Sequence, residues 1–300
     1  MINILKRELI YIWYYLVIQF REIFLYWVIG MAIGSLISAL IEDRSRILSG
    51  RMEGAHPGIP GILSASLLGI VNPLGIPGTL PITASCSRQG MRQDRLAAFM
   101  MSSVLLSPQL ILYSMALGAK ALAVRVVSCL LCSFTAGLLV HFLFGNKPFF
   151  DFSGFDEQNV IDSNPNFFHR FLKYFGRSIR KTGPWFLAGV FAAVFFRLYL
   201  PQGIIRSVFG EKRAAEVLAG AAIGLPFHAC GCGSIPLLRQ WMLKGMSTGS
   251  AAAFMLTGPS TGLMNLGTAR TVLGMKKYLA YVLFIIVFAF ITGMITNLLV

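Results

Sequence analysis

Pro226-Phe227-His228-Ala229-Cys230-Gly231-Cys232-Gly233-Ser234-Ile235-Pro236 sets two thiols and an imidazole within five residues, inside one of the most apolar parts of the chain. Ionisable groups are costly in hydrocarbon, and the prolines and glycines here interrupt a helix ladder. Such a stretch is tolerable in a membrane only where it lines a cavity or touches a substrate. The motif therefore predicts a helix break at membrane depth that carries soft ligands.

Composition agrees with a membrane setting. Of 300 residues, 56% are hydrophobic and 13% charged, with mean hydropathy +0.70, where a soluble domain carries roughly one quarter charged residues. The expected fold is an all-α integral membrane protein. Apolar runs recur at 23–41, 58–84, 96–118, 121–145, 184–201, 214–238, 248–268 and 278–300. At roughly 20 residues per crossing they predict about eight spans, some of them re-entrant. The first run follows Lys6 and Arg7 without a small-residue cleavage site, so it is expected to stay as an anchor. The net charge of +14 reads, at span ends, as topology and contact with anionic lipid rather than nucleic-acid binding. The five cysteines form no extracellular framework.

Aligned with itself, the chain shows a repeat offset by 155 residues, the step from Gly69 to Gly224. Gly78, Pro81, Gly90, Met91 and Phe99 likewise coincide with Gly233, Pro236, Gly245, Met246 and Phe254. This predicts a first transmembrane repeat at 1–145, a polar and cytoplasmic linker at 146–181, and a second repeat at 182–300. Paired, interrupted hydrophobic segments are a signature of transporters whose broken helices meet near the midplane. The expected breaks lie at Pro73, Pro77 and Pro81 in the first half. In the second they lie at Pro226, Gly231, Gly233 and Pro236, with Pro259 interrupting the next helix.

Cys230 and Cys232 flank one glycine, so a looped backbone turns both toward one ligand where a helix would splay them. Thiolates beside an imidazole suit Cu(I), Zn(II) and trivalent arsenic. Only three ligands, Cys230, Cys232 and His228, are at hand, which favours an open, transient site in which the metal is cargo over a closed structural one. No cofactor is expected. Ser234, Asn72 at the head of the first break, and Thr257 complete the candidate substrate contacts. Cys129 and Cys132 read as core thiols, His56, His141 and His169 as solvated groups, Gly30 and Gly34 as a packing pair, and Glu22 as the partner of neighbouring Arg21. Cys86 is a weaker candidate for approaching the second-half site.

The string from Cys230 to Pro236, the following Lys244-Gly245-Met246-Ser247 and Ala251–Ser260, with the starts of the halves around Gly30 and Gly189, resembles the ArsP/YraQ-type predicted permeases. That family includes organoarsenical efflux permeases and proposed copper or zinc exporters. The resemblance implies a two-half permease, not an enzyme, in which Cys230, Cys232, Ser234 and Pro236 contribute to the path, with efflux as the direction. In the first half Gly75 and Pro77 stand opposite the cysteines, so the thiols are not paired across the halves. The expected function is a plasma (inner) membrane permease for a thiophilic solute: a soft metal, a metalloid or organoarsenical, or a small sulfur compound. Its expected partners are that solute and membrane lipid. The alternatives are a membrane thiol–disulfide oxidoreductase, and a channel or assembly subunit without thiol chemistry.

Overall fold

The computed structural model describes residues 2–43, 58–72, 75–88, 90–145, 149–152, 166–211, 213–225 and 231–299. All regular structure among them is helical. In chain order the helices are α1 (Ile2–Asp43), α2 (Ile59–Val71), α3 (Gly75–Arg88), α4 (Gln93–Leu105), α5 (Pro108–Met115) and α6 (Ala119–Phe144). After the polar segment come α7 (Phe167–Tyr199), α8 (Gln202–Phe209), α9 (Ala214–Gly224), α10 (Gly231–Leu243), α11 (Thr248–Thr261) and α12 (Leu263–Leu299), the last kinked at Gly274.

Five stretches are long and apolar enough to cross a bilayer: Ile10–Leu40, Gln93–Met115, Ala119–Phe144, Phe167–Tyr199 and Ala269–Leu299. Of the eight apolar runs expected as spans, some of them re-entrant, the remaining three are interrupted. The runs 58–84 and 214–238 are each divided into two helices of 11 to 14 residues. Each piece rises about 20 Å, short of a 30 Å hydrocarbon layer. The run 248–268 is likewise cut at Gly262, between α11 and α12.

Burial separates an inner layer from an outer one. α11 is buried from Gly249 to Thr261, and α4 is buried over nearly its whole length. Both carry small residues, which let neighbouring backbones come close. The outer helices present exposed apolar stripes at helical spacing, such as Leu279, Leu283, Val287, Ile291 and Ile295 on α12, and Leu25, Ile29, Ile33, Leu36 and Leu40 on α1. Stripes this continuous suit lipid better than water.

α2 and α6 pack on α4, and α9 and α12 pack on α11, while α1 lies against α7 and α7 against α10. Gly30 and Gly34 seat α1 on α5: a Cβ on Gly30 would come within 2.5 Å of the Tyr113 ring, and one on Gly34 within 2.3 Å of the Gln109 side chain. The turns after α3 and α10 share one construction. Gly90 (φ 88°) and Gly245 (φ 103°) take the left-handed region, while Met91 N–H reaches Cys86 O and Met246 N–H reaches Trp241 O, each at 3.0 Å. This is the glycine-terminated helix end in which a wrapped-back N–H satisfies a carbonyl of the last turn. The basic residues Arg170, Lys173, Arg177 and Arg180, expected in a polar linker, ride on the first half of α7.

Candidate functional site

The break in the second half lies between Gly224, the end of α9, and Gly231, the start of α10. Pro226, His228 and Cys230 lie outside the described residues, as do Pro73 and His56. Gly231 and Cys232 form the first turn of α10, so the motif runs from the interruption into a helix N-terminus. Gly233 and Pro236 stand within α10, Pro77 and Pro81 within α3, and Pro259 within α11. Near a helix start the missing proline N–H has no intrahelical partner to lose, which accommodates Pro77.

Gly233 has a task that its place in a cysteine motif did not suggest. A Cβ on it would lie 2.5 Å from the Trp185 carbonyl oxygen, and a Cβ on Gly189 would lie 2.0 Å from the Gly233 carbonyl oxygen. The backbones of α7 and α10 therefore touch, and the start of α10 is fixed against a long helix. Ser234, the next residue, is half-buried.

The last turn before each break is pressed against a central helix. A Cβ on Gly69 would meet Phe99 O at 2.5 Å and Ser102 Cβ at 2.8 Å, and one on Gly224 would meet Thr257 Oγ1 at 2.0 Å and Phe254 O at 3.2 Å. Phe99 and Ser102 are the residues 155 positions before Phe254 and Thr257.

The first break is lined with hydroxyls and an amide. Asn72, fully buried, donates from Nδ2 to Thr79 Oγ1 at 3.2 Å, and Thr79 Oγ1 lies 3.2 Å from Ser103 Oγ. Beside the second break, buried Thr257, Ser260 and Thr261 bond back to the carbonyls of Ala253, Leu256 and Thr257 at 3.1, 2.6 and 2.6 Å. These bonds use each hydroxyl proton and leave oxygen lone pairs over. Both breaks thus place polar oxygens at the ends of apolar helices.

Other sulfur groups are packing elements. Cys86 is buried among Ile62, Ala65, Leu80 and Met91, a first-half cluster that includes Val272 but no residue of α10. Cys129 and Cys132 are buried with Met101, Leu105 and Ile285, and Met91, Met246 and Met255 are core side chains. Among the described residues no group of three or more His, Cys, Asp or Glu is placed to hold a metal ion. A cavity of about 160 Å³ opens between α4, α6 and α12, lined by Met100, Val104, Val140, Phe150, Leu273 and Tyr281 among others. None of the sequence-predicted site residues among those described lines it.

Two polar groupings escaped the sequence reading. His141, expected to be solvated, places Nδ1 at 2.6 Å from Asp94 Oδ2, and Arg92 Nη2 approaches the same oxygen at 3.2 Å. Asp94 is 1% exposed. Only the separation of α4 and α6 in sequence hid this pairing. Glu22 pairs with Arg239 of α10 rather than with Arg21, and Gln240 Nε2 donates to Gln19 Oε1 at 2.6 Å beside it. The reason is geometric, since adjacent residues on a helix point about 100° apart. His169 is exposed.

The family model described as "Predicted permease" (ArsP_1) matches residues 5–142 and 151–298. The chain belongs to this predicted permease family. Its apolar helices, five stretches of which are long enough to cross a bilayer, are in keeping with that description. Among curated proteins it is similar to UPF0718 protein YcgR of Bacillus subtilis, 37% identical over 76 residues, which are 25% of this chain and 26% of that protein. A putative two-component membrane permease complex subunit of Streptococcus mutans is 26% identical over 76 residues, 25% of either chain. UPF0718 protein YraQ of Escherichia coli is 26% identical over 259 residues, 84% of this permease and 71% of YraQ. The first two likenesses thus cover about a quarter of those relatives' own length. No solved structure matches the permease.

Proposed function

We propose that this permease exports a thiophilic solute across the plasma membrane, with Cys230, Cys232 and His228 meeting the cargo at the interruption between α9 and α10. The observation that carries the reading is the position of the motif: the last turn of α9 is locked on Thr257, the first turn of α10 is locked on α7 through Gly233, and the sulfur ligands fall between these two anchored ends. Ligands carried between two anchored helix ends can be presented to a cargo and exchanged. Two or three soft ligands bind a metal or metalloid centre without completing its shell, which leaves room for release.

The proposal includes a two-half organisation, 1–145 and 182–300 about the segment 146–181. Its support is the recurrence, 155 residues apart, of the glycine turns at Gly90 and Gly245 and of the Gly69 and Gly224 contacts. In that arrangement Asn72, Thr79 and Ser103 form the first-half counterpart of the cysteine break, and Ser234 and Thr257 flank the cargo in the second.

Transport into inside-out vesicles tests the reading. With phenylarsenite, Cu(I), Zn(II) and thiosulfate as cargo, Cys230→Ser and Cys232→Ser are expected to abolish uptake of the solute carried by the unaltered protein. Unchanged transport in both variants rejects the thiol site.

A further inference from the structure

The cavity of about 160 Å³ between α4, α6 and α12 has a wall that is apolar apart from Lys277 and Tyr281. Tyr281 spends its hydroxyl proton on Ser260 O at 2.9 Å. An apolar cavity of about 150 Å³ stays dry and accepts an apolar guest. Leu139 and Leu143 line this one and are 41% and 72% exposed, so it opens on the outer surface of the helices, where the bilayer lies.

The opening continues along α12. Ala280 and Phe284 are shared with a second hollow that runs on past Leu283, Val287 and Ile291, residues of the exposed stripe. The step from Lys277 to Ile291 is about 21 Å of helix, while one leaflet is half of a roughly 30 Å hydrocarbon core. The groove therefore has the length and lining of an acyl chain rather than of a compact polar solute.

One end of it is charged. Lys277 Nζ donates to Phe149 O at 2.8 Å and lies 5.7 and 5.4 Å from the centres of the Phe144 and Phe149 rings. Phe144 is the last residue of α6, so the ammonium is held level with the end of a spanning helix, where headgroups begin. Arg270 and Lys276, both exposed, adjoin cavity-lining Ala269 and Lys277 in the chain. Among the described residues, two carboxylates lie at this end. Asp94 is engaged by His141 and Arg92, and Asp151 is exposed, with its N–H on Val272 O at 2.9 Å. Three cations against one exposed carboxylate leave the end positive, and basic pockets between spanning helices collect acidic headgroups.

We propose that this groove is a binding site for an anionic phospholipid of the surrounding bilayer. One acyl chain fills the cavity and follows α12 toward Ile291, and the phosphate sits at Lys277. The lipid thereby wedges α12 against α4 and α6 and stabilises the folded chain as a ligand does. The site stands apart from the cysteine motif, so it does not depend on the nature of the cargo.

Native mass spectrometry of the full chain in mild detergent, titrated with dioleoylphosphatidylglycerol and dioleoylphosphatidylcholine, tests the site with two lipids that share their chains and differ in headgroup charge. Phosphatidylglycerol is expected to bind roughly tenfold tighter and to raise the melting temperature. Lys277→Gln, which keeps a donor for Phe149 O, should weaken phosphatidylglycerol roughly fivefold and leave phosphatidylcholine within about twofold. Ala280→Phe places a ring where the two hollows join and should weaken both lipids roughly tenfold with their ratio kept. Leu279→Phe, exposed on the same helix outside the groove, should change neither. Equal affinity for the two lipids in the unaltered protein, equal loss of both in Lys277→Gln, or unchanged binding in Ala280→Phe would each overturn the inference. Displacement of the phosphatidylglycerol by phenylarsenite would give the cavity to the cargo and overturn it as well.

Discussion

His141 Nδ1 sits 2.6 Å from Asp94 Oδ2 and ties the end of α6 to the beginning of α4. Asp94 Oδ1 also accepts from the Arg95 N–H at 2.8 Å, so the one carboxylate both satisfies an N–H in the first turn of α4 and joins two helices. Its partners are half-exposed while it is buried, which makes the pair a clamp at the edge of the apolar zone.

Removing the buried member leaves His141 and Arg92 facing an apolar gap. Asp94→Ala is expected to cost about 3 kcal/mol, the lower end of the range for breaking a buried pair, and Asp94→Asn clearly less because it keeps an acceptor. Denaturation of the purified protein in detergent measures both, and equal stability of Asp94→Ala and the unaltered protein would remove the clamp.

The touching backbones of α7 and α10 make a sharper structural prediction. Gly189→Ala places a methyl carbon where the Gly233 carbonyl stands, and overpacking of this kind costs about 1–3 kcal/mol. Gly176→Ala on the same helix meets nothing within 4 Å and serves as the control. Melting temperatures should fall for the first and hold for the second. A fall in both, or in neither, would contradict the contact.

At the turns the expected cost arises from backbone conformation rather than space. Gly90→Ala meets no atom within 4 Å but must hold a φ of 88°, a strain of about 1 kcal/mol or more. Gly245→Ala, at φ 103°, should lose a comparable amount, and chemical denaturation of the two single variants and the double variant checks whether the losses add.

Lys244 holds the end of α7, its ammonium donating to the carbonyls of Phe196, Arg197 and Leu200 at 2.5, 3.0 and 2.5 Å. Burial, and after it the neighbouring Arg197 charge, draw its pKa below the ordinary lysine value. Because the folded form then releases its proton at a lower pH than the unfolded chain, the unfolded chain binds more protons between the two values. The titration penalty is therefore present in full below the folded pKa and is relieved as pH rises toward the unfolded one. Lys244→Met should melt lower at neutral pH through loss of the three bonds, and should lack this rise in alkaline buffer. Parallel pH-dependent melting curves for the variant and the unaltered protein would refute it.

Much of this architecture is legible in the residues because apolar length and glycine–proline punctuation act locally. The spans near 23–41, 121–145, 184–201 and 278–300 each correspond to a long helix, and 96–118 to the consecutive pair α4 and α5. The broken runs at 58–84 and 214–238 announce their interruptions in Asn72-Pro73 and Pro226 but not the shortness of the pieces. What escaped depends on partners far away in the chain. Gly233 reads as a hinge within a cysteine motif, and only the approach of Trp185 reveals it as a contact surface. Glu22 reads as a partner of Arg21 until α10 brings Arg239 beside it. Arg125 looks like one cation among many until the fold buries it within α6.

X-ray absorption at the arsenic edge, on purified protein loaded with phenylarsenite, tests the central assignment most directly. Sulfur neighbours near the distances typical of thiolate coordination, lost when Cys230 and Cys232 are both replaced by serine, are the predicted result. A first shell of oxygen alone, identical in the unaltered and doubly substituted proteins, would contradict the assignment of those thiols to the cargo.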